Sequence, residues 1–232
     1  MTDNANEQQL RQDMCKVLDM MYRRKFIGGP AGNISVRLGE DRFMMSPSTH
    51  FKHLLKPEQM IIINSAGEKI EETAANRGLG PTSEVPMHLA AFLNRPDVGG
   101  VVHGHPNNCV ALSAAGKEVR SQVLTEAMLF LGKIRHIPFA TPTTQELGDK
   151  VAEHIVDYDS LVLPYHGTLT VGKTIWDAYA LLELLEQAAE INCLVQSCGG
   201  EIPIGKDRIE SMIELRKKYD MHKPSDLELL DS

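Results

Sequence analysis

The six residues Val101-Val102-His103-Gly104-His105-Pro106 constrain this chain more than any other stretch. An apolar run leads into two histidines at i and i+2, and a proline follows. In an extended strand alternate side chains share a face, so the spacing predicts that both imidazoles project to one side. Pro106 cannot continue a hydrogen-bonded ladder. The strand is therefore expected to stop there and to leave the pair at its carboxyl end, where α/β proteins place their chemistry. Two neutral imidazoles side by side are either the start of a zinc site or a hydrogen-bonded pair. Catalytic zinc takes three protein ligands and keeps one position open, so the question turns on a third ligand.

His166 offers one. It too follows an apolar strand, Ser160-Leu161-Val162-Leu163, and precedes a glycine. Other metal folds that begin with HxH want further groups nearby, an Asp-His pair or a glutamate a few residues on, and Pro106-Asn107-Asn108-Cys109-Val110 supplies neither. Glu84 is the candidate fourth group. It falls in the first turn of a helix that Thr82 or Ser83 can cap, where the helix dipole favours a carboxylate. Beside an ion such a carboxylate serves as ligand or general base; without one it is an ordinary helix acid. Gly32-Asn33, Ser46-Pro47-Ser48-Thr49 and Thr82-Ser83 gather small polar residues on turns and a helix start. Together they offer the N–H and hydroxyl groups that cradle a phosphate, while each alone is also normal turn or cap chemistry. The other histidines (His50, His53, His88, His136, His154 and His222) read as structural or surface groups.

Around these residues the chain alternates between strand and helix patterns. Leu10, Met14, Val17, Leu18 and Met21 lie at helical spacing within a helix expected over 7–25. Ile34 to Arg37 with Phe43 to Met45, and Ile61 to Ile63 with Glu68 to Ile70, read as hairpins. A strand is expected over 134–139 and a helix over 144–158. The longest helix starts at Thr174, with Asp177 three residues on as a capping box, and another covers 207–219. Hairpins mixed with helices predict one α/β layered domain over 1–232, with a mobile end over 220–232. The chain of 232 residues is 42% hydrophobic and 24% charged with a net charge of −7, which speaks against nucleic acid as a partner. No apolar run reaches the ~20 residues of a membrane span. Cys15, Cys109, Cys193 and Cys198 form no paired framework and the N-terminus is polar, so a reduced, cytoplasmic protein is expected.

Gly32-Asn33-Ile34-Ser35, Pro81-Thr82-Ser83-Glu84 with His88, His103-Gly104-His105 and His166-Gly167 occur in the order and spacing of the class II aldolase/adducin family. The chain resembles that family over about 8–200. The resemblance implies a three-layer α/β/α domain around a largely antiparallel mixed sheet, assembled as a homotetramer with active sites at subunit interfaces. It implies zinc, with cobalt, manganese or iron as alternatives, on His103, His105 and His166. It implies Glu84 as the acid/base beside the metal, and substrate phosphate on Gly32, Asn33, Ser48, Thr82 and Ser83. The activity implied is cleavage of a ketose 1-phosphate of the fuculose phosphate kind to dihydroxyacetone phosphate and an aldehyde, through an enediolate. Glutamate at 84 is the aldolase choice, since the epimerase members carry aspartate. The aldolase tyrosine that follows the central helix has no counterpart in 121–128, and Ser48-Thr49 stand where the family has Thr-Gly. Those departures keep open decarboxylation of a 3-oxo acid phosphate. A pentulose-phosphate epimerase and a non-catalytic adducin-like interaction domain are the remaining readings, the last of which loses the three histidines.

Overall fold

Strand alternation organises the interior. The computed structural model describes residues 2–231. Its sheet contains β1 (Asn33–Gly39), β2 (Arg42–Met45), β3 (Ile61–Ile63), β4 (Gly100–Gly104), β5 (Arg135–His136), β6 (Ser160–Leu163) and β7 (Gly167–Gly172). Their order is β3-β2-β1-β4-β7-β6-β5, antiparallel except for the β5–β6 pair. Phe43, Met45, Ile61, Ile63 and Val101 point to one face, under α2 (Val85–Asn94) and α5 (Gln145–Ile155). Met44, Ile62 and Val102 point to the other, where α1 (Thr2–Arg23) and α6 (Ile175–Ser197) cover them. Period-2 alternation thus fills two cores on opposite faces of one sheet. This is the expected three-layer arrangement. Between them in sequence lie α3 (Asn107–Ala114) and α4 (Thr125–Leu131), and α7 (Lys206–Lys218) closes the order.

Several local expectations change. Glu68 to Ile70 does not form a strand; a single Ile63–Lys69 bridge is all that remains of that hairpin. The strand expected over 134–139 shrinks to Arg135–His136, since Pro138 lacks an N–H to extend it. The Thr174–Asp177 capping box forms as expected. The end expected to be mobile is packed: Pro224–Leu230 is a 3₁₀ helix, and Leu229 joins Ile209 and Ile213 of α7 in a small core. No helix among the described residues is long and apolar enough to cross a membrane.

Candidate metal centre

The register of the central strands places the functional side chains. Asn33 of β1 pairs with His103 of β4, and His103 pairs in turn with Leu169 of β7. His103 is fully buried, and its Nδ1 lies 2.8 Å from the Thr168 carbonyl. In the neutral ring Nδ1–H therefore donates to that oxygen, and Nε2 carries the lone pair into the site. Just past the strand, the His105 backbone N–H donates to the Phe26 carbonyl, which ties the second histidine to the chain after α1. His166 closes a turn from Leu163, with Pro164 next and Tyr165 at φ 60°. Proline followed by a left-handed residue is the pattern of a type II turn. Gly167 must be glycine, because a Cβ there would lie 2.3 Å from the Gly104 carbonyl and 2.7 Å from His105.

These three strand ends bring His103, His105 and His166 together, with one ligand atom from each inside a common 4.8 Å. His105 Nε2 and His103 Nε2 are 2.9 Å apart. Glu84 reaches the same point: Oε2 is 3.1 Å from His103 Nε2, and Oε1 is 3.3 Å from His166 Nε2. Oε1 is buried without a hydrogen-bond partner. Tautomers that turn the Nε2 lone pairs inward, beside a half-satisfied carboxylate, suit a cation at their centre. Three imidazole nitrogens and one carboxylate oxygen form a donor set that suits zinc and also admits cobalt, manganese or iron(II). The residues fit a divalent ion.

Electrostatics point the same way for His105 and His166. Burial and the neighbouring His103 push His105 down to about 3, and burial first, then His103, push His166 down to about 4. Both rings are therefore neutral, the form that binds metal. Burial opposes the Glu84 charge, but His103, the hydrogen bond from Asn33 and His166 outweigh it and hold the carboxyl well below the usual range. His103 itself is raised, since Glu84 and the Thr168 carbonyl overcome its burial.

Glu84 is not in the first turn of α2 as expected but is its N-cap, and neither Thr82 nor Ser83 caps the helix. The cause is competition. The carboxylate turns toward the imidazoles, and Thr82 Oγ1 accepts from the Glu84 N–H instead. One residue that the sequence left as structural belongs to this site. His88 lies one turn further along α2, fully buried. The Ser35 hydroxyl donates to its Nδ1 at 2.6 Å, its Nε2–H donates to Asn33 Oδ1, and Asn33 Nδ2 donates to Glu84 Oε2 at 2.8 Å. Burial pushes His88 down to about 3, so it stays neutral and its single N–H fixes which way the Asn33 amide faces. The i, i+4 spacing of Glu84 and His88 was the available signal.

The anion-binding candidates divide. An antiparallel bridge joins Pro47 to Pro81, and the Ser48 N–H donates to Gly80 O at 3.1 Å, so the loop that carries Ser48 is held against the segment that leads into Thr82 and Ser83. Thr82 is buried, Ser83 exposed and Ser48 half-buried. Gly32 takes φ 76°, and a Cβ there would lie 2.2 Å from the Ile27 side chain and 3.2 Å from the His103 carbonyl. Asn33 already spends its oxygen and one amide hydrogen on the relay, which leaves it one hydrogen to offer a ligand.

A family profile described as "Class II Aldolase and Adducin N-terminal domain" matches residues 12–193. A Methanococcus vannielii protein named L-fuculose phosphate aldolase is 32% identical over 186 residues, covering 80% of this chain and 97% of that one. The 3-oxo-tetronate 4-phosphate decarboxylase of Escherichia coli K12 is 27% identical over 221 residues, 93% of this chain and all of its own. A solved L-fuculose 1-phosphate aldolase from Glaciozyma antarctica PI12 superposes with a TM-score of 0.79 at 21% identity, covering 99% of this chain and 88% of its own. That last likeness is one of fold.

Proposed function

We propose, from the premise that this chain belongs to the family of class II aldolases and adducin N-terminal domains, that it is a divalent-metal lyase cleaving a carbon–carbon bond in a ketose 1-phosphate. The observation that carries the reading is the convergence of His103, His105, His166 and Glu84 on one point. His103, His105 and His166 would hold the ion, zinc by preference. A bound divalent cation supplies Lewis acidity to the oxygens beside the bond that breaks. The chain's own groups do the rest. Glu84, ionised and anchored through Oε2 by Asn33, leaves Oε1 free to take or return a proton at the substrate carbon. The Ser35–His88–Asn33 relay holds that carboxylate in place. Ser48, Thr82 and Ser83, with Gly32 and the spare Asn33 hydrogen, receive the phosphate at the other end.

A second reading is favoured by the Escherichia coli decarboxylase, which aligns over its full length: loss of carbon dioxide from a 3-oxo acid phosphate. A small phosphorylated substrate, a cytoplasmic setting and a homotetramer with sites at subunit interfaces complete the proposal. The test is a screen of ketose 1-phosphates and 3-oxo acid phosphates on zinc-loaded protein, scoring aldehyde and carbon dioxide separately. Aldehyde release supports the aldolase, carbon dioxide alone moves the assignment to the decarboxylase, and neither product from either class ends both. Light scattering that finds an active monomer at micromolar concentration would remove the tetramer.

A further inference from the structure

Lys52 is one of the largest fully buried side chains in the protein, with 2% of its surface exposed. It sits in a 3₁₀ turn, Lys52–Leu54, just after the Ser46–Thr49 loop. Its ammonium donates to the Pro47 carbonyl, and among the described residues it makes no ion pair. An ammonium has three donors, and a buried charge left with one neutral carbonyl is costly. Stability alone would favour an uncharged side chain of the same length. The surroundings supply a reason to keep the charge. Pro47 precedes Ser48, its strand bridge reaches Pro81, and the Ser46 N–H and hydroxyl are both tied to Ile34, next to Asn33. The carbonyl that Lys52 grips therefore belongs to the loop that carries Ser48 and is bridged to the segment leading into Thr82 and Ser83. That loop turns at Thr49, held at φ 55°, a conformation that a β-branched residue adopts only when its surroundings impose it. Every other group offered to an anion there is neutral.

We propose that Lys52 is the fixed positive charge of the anion-binding half of the site. It pins the Pro47–Thr49 loop and neutralises a phosphomonoester received by Ser48, Thr82 and Ser83. The inference rests on the cradle reading above and goes beyond it by assigning the cation. Burial pushes the Lys52 ammonium down to about 8, and the Glu84 charge partly resists the fall. The group thus remains largely charged at neutral pH. In a buried setting that charge is little screened by salt.

Inorganic phosphate is the probe, titrated calorimetrically into zinc-loaded wild type and the Lys52→Met, Lys52→Gln and Ser83→Ala variants, with melting temperatures recorded in phosphate-free buffer. Wild type should bind phosphate, and Ser83→Ala should weaken it. Lys52→Met should raise the Kd ~10- to 100-fold, the scale of one unscreened charge at short range. Its phosphate-free melting temperature should equal or exceed that of wild type, because an unpaired buried charge has gone. Lys52→Gln repeats the test if methionine packs badly. A variant Kd within ~2-fold of wild type, with Ser83→Ala still weakening binding, overturns the Lys52 assignment and leaves the cradle standing. Failure of both uncharged variants to fold makes Lys52 a structural residue and overturns it too. Phosphate binding that Ser83→Ala does not weaken removes the cradle, and the assignment falls with it.

Discussion

Two clusters of charge are equally deep in this molecule and differently finished. Near the C-terminus, Arg216 and Asp226 are each 1% exposed. Arg216 Nε donates to Asp226 Oδ2 at 2.7 Å, Nη2 donates to the Met221 carbonyl at 2.7 Å, and Nη1 faces the Leu129 and Met128 carbonyls. Asp226 Oδ2 also accepts from the Lys223 N–H at 2.9 Å, and only Oδ1 is left over. At the strand ends, Glu84 and the three histidines gather around one point; Asn33 Nδ2 donates to Glu84 Oε2, and Glu84 Oε1 and His166 Nδ1 are left without a partner. The first cluster completes itself but for that one oxygen and is structural; the second needs something from outside. Burial does not separate a site from a strut, but the balance of donors and acceptors does.

The sharpest way to break this contrast is to remove a ligand from the second cluster. His103→Ala should lose both the metal and essentially all turnover, and elemental analysis beside an activity assay checks it. Equal metal content in wild type and variant would leave the histidines as mere neighbours. Glu84→Gln comes next. It keeps the size of the side chain and removes its basicity, so turnover should fall ~10²–10⁴-fold with the zinc content measured on the same sample. Activity within ~10-fold of wild type at a full equivalent of zinc would show that the base is elsewhere. In the self-completed cluster the effect should move from rate to stability. Asp226→Ala strands a buried guanidinium and should cost ~3–5 kcal/mol in urea unfolding without changing the metal content. Pairing Asp226→Leu with Arg216→Met should recover most of that loss. The smallest effect should come from His88→Gln, which disturbs the relay to Asn33 rather than any ligand. A loss of ~10–100-fold in activity or metal affinity fits a supporting group, and an unchanged variant would reduce His88 to packing.

Much of this was legible before any coordinates. Met44 flanked by Phe43 and Met45, and Val102 beside Val101, announce a sheet covered on both faces. The HxH spacing announces two imidazoles on one side, and His166 repeats its setting. What could not be read depends on register and on competition at close range. Nothing local says that Asn33 stands opposite His103, since pairing between strands so distant in sequence is decided by the whole sheet. Without that rung, His88 is simply a polar residue on an apolar helix. Glu84 satisfied the rule for a first-turn acid, and the rule failed because two imidazoles, His103 and His166, competed for its carboxylate. Lys52 left no trace at all, because a lysine in a polar loop reads as solvated until the fold closes over it.

The Asn33–His103 rung has one more consequence. It joins the strand that leads into the anion cradle to the strand that carries the first imidazole, through backbone hydrogen bonds of the sheet. Under the proposed function, the span between cradle and metal would be set by strand spacing, which side-chain motion cannot stretch. The sheet would then act as a gauge for carbon-chain length. Sugar phosphates lengthened or shortened between the phosphate and the reacting carbons should lose turnover sharply, while changes at the aldehyde end, beyond the gauge, should be tolerated.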